Sequence, residues 1–348
     1  MTPLKQRIIA EIRARGPMPI ERFMALALTD PDHGYYTTQL ALGADGDFIT
    51  APEISQVFGE LIGLWAADLW QRAGAPTAFR LIELGAGRGT LMADALRATA
   101  RIPGFAPSVS LVEVSQRLRT EQAARVPQAT WFDTVEAALA DDARPAIVIA
   151  NEFFDAMPIR QIISTDSGWQ ERCVGVDQER TALVWTTGPA CEGPADDPVG
   201  TIREAAPQAK AIISAIAVHL ASVGGALLIL DYGPAQSGPG DTLQAVRAHR
   251  PLDPLAEPGL ADLTAHVDFQ VLAEAAAPLV VHGPTPQGSF LRQLGLDMRT
   301  DALARANPSQ RAALYAASRR LSHPDAMGLL FKAMALRSAH WPTPAGFG

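Results

Sequence analysis

Residues 79–89, FRLIELGAGRG, constrain this chain more than any other stretch. Phe79, Leu81, Ile82 and Leu84 form an apolar run suited to a strand buried on both faces. Gly85, Gly87 and Gly89 follow at once, and a backbone without Cβ atoms can turn sharply there and approach a ligand closely. TLMADALRATA, from Thr90 onward, reads as a helix whose N-terminus opens toward that ligand. Strand, glycine turn and helix in this order point to an α/β, Rossmann-like sheet. Such a unit holds a small nucleoside-bearing molecule at the carboxyl end of a parallel strand.

The spacing narrows the choice of nucleoside. The dinucleotide fingerprint is G-x-G-x-x-G, shaped around a pyrophosphate; here the order is G-x-G-x-G, with Glu83 two residues before the first glycine. A carboxylate sits poorly beside a pyrophosphate and suits the amino group and sulfonium of S-adenosylmethionine. The electrostatics thus favour a methyl donor over NAD. VSLVEVSQ (109–116) reads as the second strand, with Glu113 near its carboxyl end, some twenty-odd residues past the glycine loop and placed to accept both ribose hydroxyls. The alternative makes Glu83 and Glu113 strand-end carboxylates that cap neighbouring helices. Arg88, inside the loop, either salt-bridges outward or holds the cofactor's carboxylate.

Strand patterns fall at 79–84, 109–114, 129–132, 146–150, 226–230, 279–282 and 331–337, alternating with helical ones. That makes a seven-stranded core over 79–348. Residues 1–78 read as an N-terminal helical region, with helical patterns at 20–28 and 53–73 around a Gly-, Asp- and Pro-dense loop. The first helix has Thr2 as N-cap, Pro3 at its first position and Gly16 as its stop. This reading is preferred to a transit peptide, and no signal-peptide h-region is apparent. Two insertions interrupt the core. Residues 160–187 read as antiparallel strands (RQIIST, WQERCVGV, TALVWTT), and 232–277 form a Pro- and Gly-rich, substrate-side lid. The uncharged stretch 211–230 imitates a membrane span, but Gly224-Gly225 divides it into a helix and a buried strand.

A net charge of −8 argues against a nucleic-acid surface, which needs a basic stripe. Cys173 and Cys191 are the only cysteines, so no disulfide framework exists and a reducing cytoplasm or mitochondrial matrix is the simple reading. The histidines show no ligand spacing, and no metal is expected.

Three phrases carry a family resemblance: GDFITAPEISQVFGE (46–60), ELGAGRG (83–89) and NEFFDAMP (151–158), with TAHVDF (264–269) in support. Together they resemble the MidA family of S-adenosylmethionine-dependent methyltransferases, the mitochondrial complex I assembly factors and their bacterial relatives. The resemblance implies a seven-stranded class I methyltransferase sheet and protein-arginine methylation. The implied substrate is a protein, a core subunit of complex I, and self-association is compatible with it. It also implies that the 30–52 region covers the cofactor, so that Gly46, Thr50, Glu53 and Ser55 help line the pocket. A simple turn is the rival account of Asp45-Gly46.

Methyl transfer is an in-line displacement, so the protein must hold an aligned nucleophile near the sulfonium methyl. Arginine stays protonated at any working pH. Carboxylates can orient its guanidinium by paired hydrogen bonds and stabilise charge as the methyl arrives. Glu152 and Asp155, just beyond the strand AIVIA, are the candidate clamps, with Asn151 toward the methionine part of the cofactor and Phe153 and Phe154 excluding water. The rival account makes Asp155 a helix N-cap and Glu152 a surface acid. His266 is a candidate late base, with Asp268 beside it. The cofactor set expected is therefore Glu83, Gly85, Ala86, Gly87, Gly89, Glu113, Asn151, Gly46, Thr50 and Ser55. Alternatives are methylation of another protein side chain or a small molecule, a cofactor-binding assembly chaperone with little turnover, and, most distantly, an NAD dehydrogenase.

Overall fold

The computed structural model describes residues 2–38, 49–179 and 181–347. The chain forms two compact units. The first comprises Met1–Phe48, Asp155–Ala211 and Gln236–His266, and the second Ile49–Phe154, Ile212–Ala235 and Val267–Gly348.

The second unit is built on the seven-stranded mixed sheet. Its order is Val280–Pro286, Phe331–Arg337, Gly225–Tyr232, Ala146–Asn151, Arg80–Leu84, Ser108–Val112, Thr130–Phe132. Only Phe331–Arg337 runs against its neighbours. Every residue of the three central strands is buried, because helices cover both faces and the strands need apolar side chains on both. The chain leaves Arg80–Leu84 toward Ser108–Val112 and later returns to its other side at Ala146–Asn151, so strand order reverses there. In open α/β sheets the carboxyl ends at such a reversal form the ligand crevice. All seven strands lie where the sequence places them, with edges shifted by a residue or two. The largest difference is Val280–Pro286, which continues past His282 through a β-bulge.

The helix expected over 53–73 is broken. Ala51–Ile54 and Gln56–Arg72 are separate, with Ser55 extended between them (φ −158°, ψ 132°). The Ser55 hydroxyl accepts from the Val57 N–H and starts the second helix as its N-cap. Helix Gln56–Arg72 approaches helix Thr90–Thr99 through Gly59 and Gly63. A Cβ on Gly63 would lie 2.6 Å from the Ala95 Cα, and one on Gly59 2.7 Å from the Asp94 Cβ. Glu60, on the same helix, accepts from Arg97 and Arg299 and ties helix Leu296–Ala306 to this layer. The uncharged stretch 211–230 is the end of helix Pro207–Val223 and the start of strand Gly225–Tyr232. Among the described residues no helix is long and apolar enough to cross a membrane.

The first unit starts with helix Pro3–Arg15, capped by the Thr2 hydroxyl and stopped at Gly16, as expected. Helix Ile20–Thr29 follows the short strand Met18–Pro19. That strand joins a five-stranded antiparallel sheet with Arg160–Thr165, Gly168–Val176, Leu183–Ala190 and Ile202–Ala205. The three strands expected in 160–187 are present, and the sheet is larger than expected at both ends. A second, three-stranded sheet (Gln244–Arg247, Arg250–Leu252, Asp262–Thr264) lies within the stretch read as a lid. Its short, interrupted apolar runs are hidden among Pro and Gly. Leu4, Ile8, Phe23, Met24, Val174 and Leu263 belong to this unit's own core.

Candidate active site

The glycine loop leaves strand Arg80–Leu84 with all three glycines at positive φ: Gly85 at 62°, Gly87 at 51° and Gly89 at 80°. A side chain is strained at each of these angles. The Gly85 N–H donates to Val112 O (2.9 Å) and the Gly89 N–H to the O of buried Ala86 (2.7 Å), closing a tight turn into helix Thr90–Thr99. Arg88 salt-bridges to Glu121 at 3.0 Å and to Glu53 at 3.7 Å. Glu53 also accepts from the Thr90 hydroxyl, so helix Ala51–Ile54 is tied to the loop.

Glu83 lies buried beneath this loop. It accepts the Met92 N–H in the first turn of helix Thr90–Thr99, whose own N-cap, Gly89, has no side chain to offer. Burial, reinforced by the charge of Glu113, pushes its carboxyl up to about 8 despite that hydrogen bond. Burial therefore disfavours the charged form of Glu83 on which the sequence argument relied. Its Oε2 is buried with no hydrogen-bond partner. Glu113 is also buried, and its pKa is raised by desolvation. Its Oε1 accepts the Ser115 N–H (2.9 Å) and its Oε2 the Gln122 amide (3.2 Å).

Gln122 was missed by sequence reasoning. It is fully buried and uses its whole amide: Nε2 donates to Gly87 O (2.7 Å) and to Glu113, while Oε1 accepts from Trp131 Nε1 (2.8 Å). One side chain thus locks the glycine loop to the second acid. Nothing in QRLRTEQAAR distinguishes this glutamine from its exposed neighbours.

The NEFFD segment begins as strand Ala146–Asn151 ends. Asn151 is 8% exposed; its Nδ2 donates to Glu152 Oε1 (3.1 Å), and its Oδ1 is buried without a partner. Glu152 takes a positive φ of 49°. Such a conformation costs a non-glycine residue about 1–3 kcal/mol and persists only where its surroundings enforce it. Its Oε1 also accepts the Ala51 N–H (2.9 Å), at the start of a helix whose N-cap, Thr50, makes no side-chain capping bond. Phe153 lies across the loop, its Cδ2 2.9 Å from where a Gly85 Cβ would sit, and stacks edge-on with Phe154. Asp231, also missed, accepts from the Phe153, Phe154 and Tyr232 N–H groups. A signal for it exists, since it ends the apolar run LLIL as Asn151 ends AIVIA.

The second unit therefore brings together Glu83, Gly85, Ala86, Gly87, Gly89, Glu113, Asn151 and Glu152, with Thr50 and Ser55 flanking the helix that Glu152 and Glu53 hold. Gly46 lies outside the described residues. Asp155 and His266 belong to the first unit. Asp155 is buried, its carbonyl accepts the Ala265 N–H (2.9 Å), and no helix starts at it, which removes the N-cap account. The Tyr36 hydroxyl donates to Asp262 (2.9 Å), and burial, with the charges of Asp262 and Asp155, holds that phenol well above its ordinary value. His266 is half-buried, its N–H donating to Thr242 Oγ1 (2.9 Å). Asp268 caps helix Phe269–Ala275 through the Val271 N–H. Among the described residues no group of three or more His, Cys, Asp or Glu side chains is placed to hold a metal ion.

The residues fit a nucleoside with polar substituents: a glycine turn under a ring, a strand-end acid, and two orphaned buried oxygens at the crevice. Comparison with known proteins agrees. Mouse "Protein arginine methyltransferase NDUFAF7, mitochondrial" is 35% identical over 372 residues, covering 97% of this chain and 84% of that protein. The zebrafish (Danio rerio) protein of the same name is 36% identical, covering 94% and 85%. A crystal structure from Burkholderia thailandensis bound to S-adenosyl-homocysteine superposes with a TM-score of 0.85 at 29% identity, covering 99% of this chain and 93% of that one. Residues 61–285 match the family described as "Putative S-adenosyl-L-methionine-dependent methyltransferase". Fold, crevice and relatives converge, and the chain belongs to this family of S-adenosyl-L-methionine-dependent methyltransferases.

Proposed function

We propose that this chain transfers the methyl group of S-adenosyl-L-methionine to an arginine of a protein substrate. The observation that carries the reading is the pair of unpartnered buried oxygens, Asn151 Oδ1 and Glu83 Oε2, at the ends of the two central strands. The names of the curated relatives support arginine as the acceptor. When bound, S-adenosyl-L-methionine supplies the methyl carbon and its own leaving group. Gly85, Ala86, Gly87 and Gly89 let the backbone approach it. Glu113 accepts the ribose hydroxyls, and Asn151 and Glu83 meet the amino-acid end, with Thr50, Ser55 and the undescribed Gly46 covering it. Glu152 orients the guanidinium and stabilises its charge. The roles expected for Asp155, as a further acceptor for the guanidinium, and for His266, as the late base, are each tested by their own substitution. The family resemblance further suggests a complex I subunit as substrate, met in a bacterial cytoplasm or a mitochondrial matrix.

The test uses methyl-labelled cofactor, purified protein and cell extract, with the labelled protein read by mass spectrometry. Methylarginine on one or a few proteins is expected. Label on another side chain or a small molecule overturns the arginine assignment. A parallel titration with S-adenosylhomocysteine and NADH should show binding of the former alone.

A further inference from the structure

We propose that Asp231 is a positioning residue that shapes the cofactor-facing turn after strand Ala146–Asn151; the inference rests on the methyltransferase reading of that crevice. Asp231 is fully buried near the end of strand Gly225–Tyr232, and in the parallel register its predecessor Leu230 pairs with Asn151. The Glu152 N–H continues the ladder by donating to Leu230 O (2.9 Å). Glu152 then turns into the left-handed region, and the next two N–H groups leave the ladder. Consecutive backbone N–H groups around such a residue form a concavity that favours an acidic occupant. Here the chain supplies its own. Asp231 Oδ2 accepts from Phe153 (3.2 Å) and Phe154 (3.0 Å), and Oδ1 from Tyr232 (2.9 Å).

Three features of the crevice depend on that turn. It lays the Phe153 ring over Gly85, it brings Glu152 Oε1 to the Ala51 N–H, and it sets Glu152 against the Asn151 amide. An isosteric amide cannot replace the carboxyl. Whichever way the Asn side chain lies, its NH2 faces an N–H donor, either that of Tyr232 or those of the two phenylalanines, and a buried donor is left unsatisfied.

The experiment compares D231N with E60Q. Glu60 accepts from Gln56, Arg97 and Arg299 rather than from the N–H groups that Asp231 holds, so E60Q reports loss of a buried carboxylate's contacts with the turn left in place. S-adenosylhomocysteine binding is measured by calorimetry, and methyl transfer is measured separately, both well below each melting temperature. D231N should weaken the affinity roughly tenfold and lower kcat, while E60Q keeps wild-type affinity. Unchanged affinity and kcat in D231N, or an equal loss of affinity in both variants, overturns the proposal. If D231N does not fold, amide exchange in the wild-type protein decides. Slow exchange at Phe153 and Phe154 supports the turn, and exchange at the intrinsic rate overturns it. Wild-type protein that binds S-adenosylhomocysteine but methylates no arginine refutes the acceptor assignment alone, and the binding comparison still judges Asp231.

Discussion

The proton on Glu83 offers the sharpest test of the site's electrostatics. In the folded protein this carboxyl is raised from 4.5 to about 8. The native state therefore binds the proton more tightly than the unfolded chain across that window. The stabilisation is fully present below pH 4.5 and is lost as pH rises toward 8. At about 1.4 kcal/mol per unit, Glu83 alone should cost the protein about 3 kcal/mol between pH 5 and 7.5. Glu83→Gln removes the titration, because the amide is neutral throughout and its oxygen can still accept the Met92 N–H. The amide NH2 takes the place of the unpartnered Oε2, which shifts the whole curve by a constant amount but not its slope. Urea unfolding followed by tryptophan fluorescence at half-unit pH steps gives both curves, and their difference cancels the titrating groups that are not coupled to Glu83, leaving Glu83 and the part of Glu113 that responds to its charge. That difference should change by about 3 kcal/mol in favour of the glutamine variant from pH 5 to 7.5. Parallel curves would show that Glu83 titrates normally, and the account of a protonated acid under the glycine loop would fall.

Other consequences are tested by single substitutions. Glu152→Gln should abolish methyl transfer while leaving S-adenosylhomocysteine affinity intact; normal turnover in that variant sinks the guanidinium role. Gln122→Met leaves Gly87 O, Glu113 Oε2 and Trp131 Nε1 without their partner, and should cost roughly 2–4 kcal/mol in unfolding measurements and weaken S-adenosylhomocysteine binding. Gly63→Ala places a Cβ 2.6 Å from the Ala95 backbone. It should cost about 1–3 kcal/mol even though alanine is the better helix former by about 1 kcal/mol, a sign that thermal unfolding can read directly.

Much of the fold was legible because its signals are local. A short uninterrupted apolar run such as AIVIA or LLIL, bounded by turn or polar residues, reads as a strand covered on both sides, and Gly85, Gly87 and Gly89 mark a turn whatever lies around them. Thr2, Pro3 and Gly16 bound the first helix for the same reason, since capping involves residues three or four apart. The small strands at 244–264 escaped because a three-residue strand leaves no periodicity to count. The break at Ser55 escaped because a serine inside a helical pattern reads equally as a surface residue or as a cap.

The sequence by itself determined that a nucleoside cofactor meets a glycine turn at a parallel strand end, and which acids stand near that turn. Only the tertiary structure decided what those acids do. Whether Glu83 carries charge depends on how completely water is excluded by residues distant in the chain, and burial shifts it toward the protonated form. Whether Gln122 is a surface helix residue or the bolt between loop and acid depends on Gly87, Glu113 and Trp131 arriving from three separate segments. Asp231 finds its three donors only because strands Ala146–Asn151 and Gly225–Tyr232 lie side by side, in a register that a long crossover connection hides from any local reading.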